Sequence, residues 1–147
     1  MKLIPIDIDE TLNSEFLQNP ACTDFLQVYP AFYEKVGFVK PWIGYFVANE
    51  EREIIAFGGF KGKPKNGKIE IAYGTVAKFE RQGYGTMLCK ELVLLAMKED
   101  STVQIIARTL PEENASTRIL KRNGFEFTGI VWDDDDGNVW EWKFKKV

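Results

Sequence analysis

The chain of 147 residues contains no histidine. This removes the side chain that most often moves protons near neutral pH. Any proton transfer must fall to a carboxylate, a tyrosine, a hydroxyl or a chain of waters. Serine–histidine and cysteine–histidine nucleophile pairs are excluded as well. Cysteine is scarce: Cys22 and Cys89 lie in different segments, without disulfide-framework or metal-ligand spacing. No apolar run approaches the length of a membrane span, and the start, Met1-Lys2-Leu3-Ile4-Pro5, lacks the apolar region of a secretory signal. A cytoplasmic protein with no membrane partner is the expectation. No charge of one sign dominates: 19 basic against 22 acidic side chains give a formal charge of −3. That argues against a nucleic-acid backbone as partner. Neither internal repeats nor low-complexity linkers occur.

What is present is apolar patterning. Hydrophobic residues make up 45% and aromatics 14% of the chain, enough for one core in one domain spanning residues 1–147. Residues 2–8 read as a strand. Residues 10–35 read as short amphipathic helices interrupted by Pro20 and Pro30. Trp42 to Ala48 and Ile54 to Phe60 form a hairpin pattern, in which Gly58-Gly59 suggests a bulge or a close ligand approach. Ile69 to Val76 adds a third antiparallel strand. Gly83 to Glu99 has helical spacing, with Met87, Leu88, Leu92, Leu95 and Ala96 on one face. Val103 to Ala107 is a strand, and Asn114 to Asn123 a helix stopped by Gly124. Phe125 to Val131 and Val139 to Phe144 close the chain as strands. The expected class is α/β (α+β): one mixed, mostly antiparallel sheet of six or seven strands flanked by helices. The crossover from residue 69 to 107 makes its central pair parallel.

The stretch Phe79-Glu80-Arg81-Gln82-Gly83-Tyr84-Gly85-Thr86 joins a strand to a helix. Two glycines permit close approach of backbone to ligand, and first-turn N–H groups have no partners within their helix. The combination is an anion site suited to phosphate. It is not a Walker A loop, which requires Gly-Lys-Ser/Thr at its end. It is not a dinucleotide fingerprint either, because a third glycine and the βαβ context are missing.

Three features together resemble the GNAT superfamily of N-acetyltransferases, nearest to the branch that acetylates ribosomal-protein N-termini. They are Gly83-Tyr84-Gly85-Thr86, the preceding Glu70-Ile71-Ala72-Tyr73-Gly74, and Asn114-Ala115-Ser116-Thr117 leading to Gly124-Phe125. With the element order, the resemblance covers about residues 42 to 145. Glu80 and Arg81 stand where the family motif has a different leading pair. Glu113 stands where the branch commonly has asparagine, so Asn114 is one residue late.

The resemblance implies acetyl transfer from acetyl-CoA to a primary amine, by direct attack in a ternary complex and without a metal. It implies that Arg81, Gln82, Gly83, Tyr84, Gly85 and Thr86 hold the CoA diphosphate. Tyr73, Gly74, Thr75 and the backbone of Val76 accompany the pantetheine arm where the parallel strands splay, and Asn114 caps its helix or touches the cofactor. Glu70 positions or deprotonates the amine, and Ser116 supplies a hydrogen bond or a proton to the departing thiolate. Tyr29, Tyr33, Trp42 and Trp132, with Phe25, are candidate walls for the acceptor, a small amine or a peptide N-terminus. The run Asp133 to Asp136 reads as a solvated turn that could attract a cationic amine. A non-catalytic CoA-binding or regulatory module on the same fold, or an interaction domain with a vacant cleft, is the alternative. Monomer and homodimer both stay open.

Overall fold

A computed structural model describes residues 1–146. Ten regular elements form one layered structure around a seven-stranded sheet of order β1-β2-β3-β4-β5-β7-β6. The strands are β1 (Lys2–Pro5), β2 (Gly44–Ala48), β3 (Ile54–Phe60), β4 (Lys68–Thr75), β5 (Gln104–Thr109), β6 (Phe125–Asp133) and β7 (Gly137–Phe144). The helices are α1 (Pro20–Val36), α2 (Tyr84–Glu99) and α3 (Ala115–Arg122). All neighbouring strands are antiparallel except β4 and β5. The mixed sheet and its parallel centre match the expectation from element order. Among the described residues no helix is long and apolar enough to cross a membrane.

The two sheet faces carry different cores. On one, α2 buries Leu88, Cys89, Leu92, Val93 and Ala96 against Ile55, Ile69, Ile71 and Ile105. Met87, expected inside, is instead half exposed, and Cys89 and Val93 take its place on the buried stripe. On the other face, Phe16, Cys22, Phe46 and Ile54 gather under α1, with Phe25 and Phe57 packed against them. Burial raises the thiol pKa to about 11 at Cys22 and about 12 at Cys89, so both are protonated packing residues at neutral pH.

The segment before β2 differs from its expected form. Pro20 does not interrupt a helix but starts one, behind Asn19, whose side chain accepts from the Ala21 N–H at 3.0 Å. Pro30 lies inside α1 without ending it. An internal proline costs about 3 kcal/mol. The helix persists because Phe25, Tyr29, Phe32 and Tyr33 all pack inward across that point.

Gly58 and Gly59 mark neither a bulge nor an irregular strand. They pair in register with Tyr73 and Ala72, while the register shift lies at Val47/Ala48. Their role is close backbone approach. A Cβ on Gly59 would strike the Ile43 carbonyl oxygen and stand 2.8 Å from the Gly44 Cα. Neither obstacle can rotate away. Gly59→Ala is therefore expected to destabilise the fold by about 3 kcal/mol. Thermal melting should show a fall of roughly 10 °C, and an unchanged midpoint would disprove the close approach.

Candidate functional site

The pairing of β4 with β5 runs from Lys68/Gln104 to Ile71/Ala107 and stops. Beyond it, β4 continues against β3 alone, through Ala72, Tyr73, Gly74 and Thr75, while β5 continues against β7 to Thr109. The two parallel strands thus diverge, and residues 72–75 have no ladder partner on the β5 side. Three cavities open around this gap, and Tyr73 borders each of them.

The first is a groove of about 640 Å³ between the end of β4, the glycine loop and α3. Its floor is the start of α2. Gly83 is the N-cap residue, in the left-handed region at φ 85°, and no side chain caps the helix. Arg81 also has positive φ, at 65°. The first-turn N–H groups therefore face the groove without side-chain acceptors, at the positive end of a 16-residue helix dipole. Arg81, Arg118 and Arg122 line the same groove against one carboxylate, Glu80. Arg118 and Arg122 stand one turn apart on α3, so they share a face. None of the three guanidiniums forms an ion pair among the described residues. Phosphate or diphosphate is the ligand chemistry this arrangement suits.

The second cavity, about 250 Å³, lies between the diverging strands, the start of α3 and the acidic turn. Ser116 lines both it and the groove. The Tyr73 hydroxyl donates to the Ser116 carbonyl at 3.4 Å. Burial, with nearby Cys89, pushes the Tyr73 phenol well above the usual tyrosine range, so it is a hydrogen-bond donor at neutral pH and not a base.

A charged cluster lies beside this cavity: Lys61, Arg108 and Asp133 line it, while Glu70 sits behind them and borders none of the three cavities. The Glu70 carboxylate is 2.7 Å from the Lys61 ammonium and 3.9 Å from the Arg108 guanidinium. Arg108 also contacts Asp133 at 3.1 Å and Glu141 at 3.4 Å. Burial opposes the Arg108 charge, but Asp133, Glu70 and Glu141 outweigh it and raise its pKa. Asp133 is held below the usual carboxylate range by the Asp135 N–H, against some desolvation, and further by Arg108 and the Asp136 N–H. Its carboxylate thus closes its own turn with one oxygen and pairs with Arg108 through the other.

The third cavity, about 300 Å³, lies on the α1 side, between that helix and β3–β4, and is almost wholly apolar. It meets the second at Lys61, Ala72 and Tyr73.

The profile of the acetyltransferase (GNAT) domain family matches residues 2–126. The chain belongs to the GNAT acetyltransferase family. Solved GNAT-fold structures superpose over nearly the whole chain. A spermidine N-acetyltransferase mutant from Vibrio cholerae is 10% identical with a TM-score of 0.70, covering 98% of this chain and 94% of its own. The aminoglycoside acetyltransferase AAC(6')-Ib, solved in complex with coenzyme A, is 19% identical with a TM-score of 0.68, at 98% and 94% coverage. An acetyltransferase from Agrobacterium tumefaciens is 15% identical with a TM-score of 0.66, at 98% and 90% coverage. No curated protein matches the sequence significantly.

The GNAT fold brings many of the expected residues together and separates others. Thr75, Arg81, Gly83, Tyr84, Gly85, Thr86 and Ser116 line the groove. Gln82 and Val76 do not. The Val76 N–H donates to Ile55 at 2.9 Å and its carbonyl accepts from Phe79 at 2.8 Å, so its backbone is engaged within the protein. Asn114 borders the second cavity, not the groove. Its side chain accepts from the Thr117 N–H at 3.1 Å, while the Thr117 hydroxyl accepts from the Asn114 N–H at 2.9 Å. This capping box makes Asn114 a helix cap. Of the expected acceptor walls, Phe25 and Tyr29 line the apolar cavity. Tyr33 and Trp42 do not: both are core, Tyr33 bonding Ile6 and Gly44 through its hydroxyl and Trp42 packing edge-on to Phe60. Trp132 is 68% exposed and borders none of the three cavities. Tyr73 and Gly74, expected beside the pantetheine arm, also line the groove; Arg118, Arg122 and Lys61 were not anticipated. The four-residue spacing of the two arginines on a helix was the available signal.

Proposed function

We propose that this GNAT protein transfers an acetyl group from acetyl-CoA to a primary amine, a small molecule or a peptide N-terminus. The observation that carries this reading is continuity. An uncapped helix start ringed by three unpaired guanidiniums leads, past Thr75 and Gly74, into the gap between β4 and β5. A long ligand with phosphates at one end and a reactive group at the other fits such a path. The diphosphate rests on the N–H groups of Gly83 to Thr86, with Arg81, Arg118 and Arg122 supplying charge. Two relatives named above are a spermidine and an aminoglycoside acetyltransferase, so amine acceptors are consistent with the fold.

The chemistry is assigned on the same basis. The amine nitrogen attacks the thioester carbonyl carbon, the carbon–sulfur bond breaks, and the amine proton is lost. Glu70 receives or relays that proton, directly or through water, and the Lys61 and Arg108 contacts hold its carboxylate in place. Ser116, at the junction of groove and gap, donates a hydrogen bond to the departing sulfur. Holding both reactants in adjoining cavities supplies the orientation on which direct attack depends.

Isothermal calorimetry with acetyl-CoA, combined with thiol release across a panel of amines and peptides, tests the proposal. Micromolar binding with transfer is the expected result. Binding with no transfer to any amine would support a non-catalytic CoA module, a reading favoured by the engagement of Glu70 with Lys61. No binding at millimolar acetyl-CoA would overturn both.

A further inference from the structure

From the third cavity we infer the chemical class of the acceptor: a primary monoamine carrying an apolar, ring-sized group. This rests on the acetyltransferase reading above. The cavity is walled by Phe25, Val28, Tyr29, Phe32, Phe57 and Phe60. Phe25 and Phe57 meet at a tilt of 38° with centroids 4.0 Å apart, and Tyr29 meets Phe32 edge-on at 5.6 Å. A volume of about 300 Å³ accommodates an aromatic ring with a short linker. The cavity adjoins the reaction gap, sharing Lys61, Ala72 and Tyr73 with it, so a ring seated here lies within a short arm's reach of the diverging strands.

The charges disfavour a second ammonium seated in this cavity. Among the described residues, Lys61 is the only charged one lining this cavity, and it also lines the second. A second ammonium on the acceptor would enter an apolar site with no carboxylate to pair it and a lysine at its mouth, an arrangement that penalises buried charge. Of the nearby acids, Glu70 is paired with Lys61 and Arg108, Asp133 with Arg108 and its own turn, and Asp136 lines the second cavity and not this one. In this respect the site is unsuited to spermidine-like acceptors, although the fold is shared with a spermidine N-acetyltransferase.

The test is a comparison of kcat/KM with saturating acetyl-CoA for phenethylamine, the dipeptide Phe-Ala, n-butylamine, the dipeptide Gly-Ala and spermidine. The ring-bearing member of each class is expected to exceed its ringless counterpart, and both to exceed spermidine, by about tenfold or more, the scale of hydrophobic-pocket discrimination. Phenethylamine ahead of Phe-Ala identifies a small amine, and the reverse a peptide N-terminus; either supports the inference. Val28 is 59% exposed at the rim, so Val28→Glu places a charge at the pocket without disturbing the core. It should raise the KM for the ring-bearing acceptor about tenfold and leave acetyl-CoA affinity, measured by calorimetry, unchanged. Spermidine or n-butylamine used as well as phenethylamine, or a Val28→Glu enzyme with unchanged KM, overturns the inference. So does acetyl-CoA binding with no transfer to any ring-bearing amine. Loss of acetyl-CoA binding in the unaltered protein is the separate signature of failure of the cofactor reading, and removes this inference with it.

Discussion

Calorimetry on the Gly85→Val variant is expected to show acetyl-CoA affinity at least about a hundredfold lower than in the unaltered protein, a loss of about 2.7 kcal/mol. Gly85 sits between two walls of the groove. A Cβ there would lie 2.7 Å from Ile119 Cδ1 on α3 and 3.5 Å from Thr75 Oγ1 on β4. A branched side chain must displace Ile119 and fill the space above the first-turn N–H groups. Those donors are what a diphosphate needs, and a hydrogen bond to a charged group is worth about 1.5–3 kcal/mol. The fold should survive, because the nearest clash is with the mobile tip of one side chain and not with backbone. Thermal melting within a few degrees of the parent would confirm that the affinity loss is local. Retained affinity in a folded variant would remove the diphosphate from this loop. Gly83 makes a different demand: nothing lies within 4 Å of its would-be Cβ, and its constraint is the left-handed φ alone. The two glycines of one motif therefore act by different physical means, one by conformation and one by space.

That distinction was not legible in the sequence, and the reason is general. Local features were readable: the period-two and helical patterns placed the strands and α2, and the crossover made the central pair parallel. Gly124 was readable as a helix stop because it follows the last periodic residue, and it takes φ 82° just after α3. Features that depend on what packs across were not. Tyr33 and Trp42 are aromatic like Tyr29 and Phe25, yet only the second pair borders a cavity. Which aromatic faces open space depends on how α1 lies on the sheet. Pro30 read as a break because propensity is local, whereas α1 is held by the aromatic residues on both sides of it. Arg118 and Arg122 join Arg81 in the groove only because α3 packs beside the start of α2. Glu70 was readable as a candidate by its place in the strand, but its pairing with Lys61 and Arg108 required the register of β3, β4 and β5.

Glu70→Gln is the second variant with a large expected effect, and it separates the roles that this pairing leaves open. If Glu70 takes or relays the amine proton, the amide cannot do so, and kcat should fall by about 10² to 10³, within the usual range for general acid–base catalysis. The KM for acetyl-CoA should be unchanged, because Glu70 does not border the phosphate groove. Glutamine keeps the shape of the side chain but leaves Lys61 without its 2.7 Å partner and removes one of three carboxylates around Arg108. Lys61 is 38% exposed and can turn to solvent, so the stability cost should be small, as for surface-accessible ion pairs. Glu70→Asp retains the charge and shortens the reach. Partial recovery of kcat with aspartate, at unchanged acetyl-CoA KM, is the result that distinguishes proton handling from simple anchoring of Lys61. If anchoring were the whole role, glutamine and aspartate would both act through acceptor KM, and kcat would move by less than about twofold. The 2.7 Å contact would then mark a structural pair, and the proton would have to leave through water or through the acceptor itself.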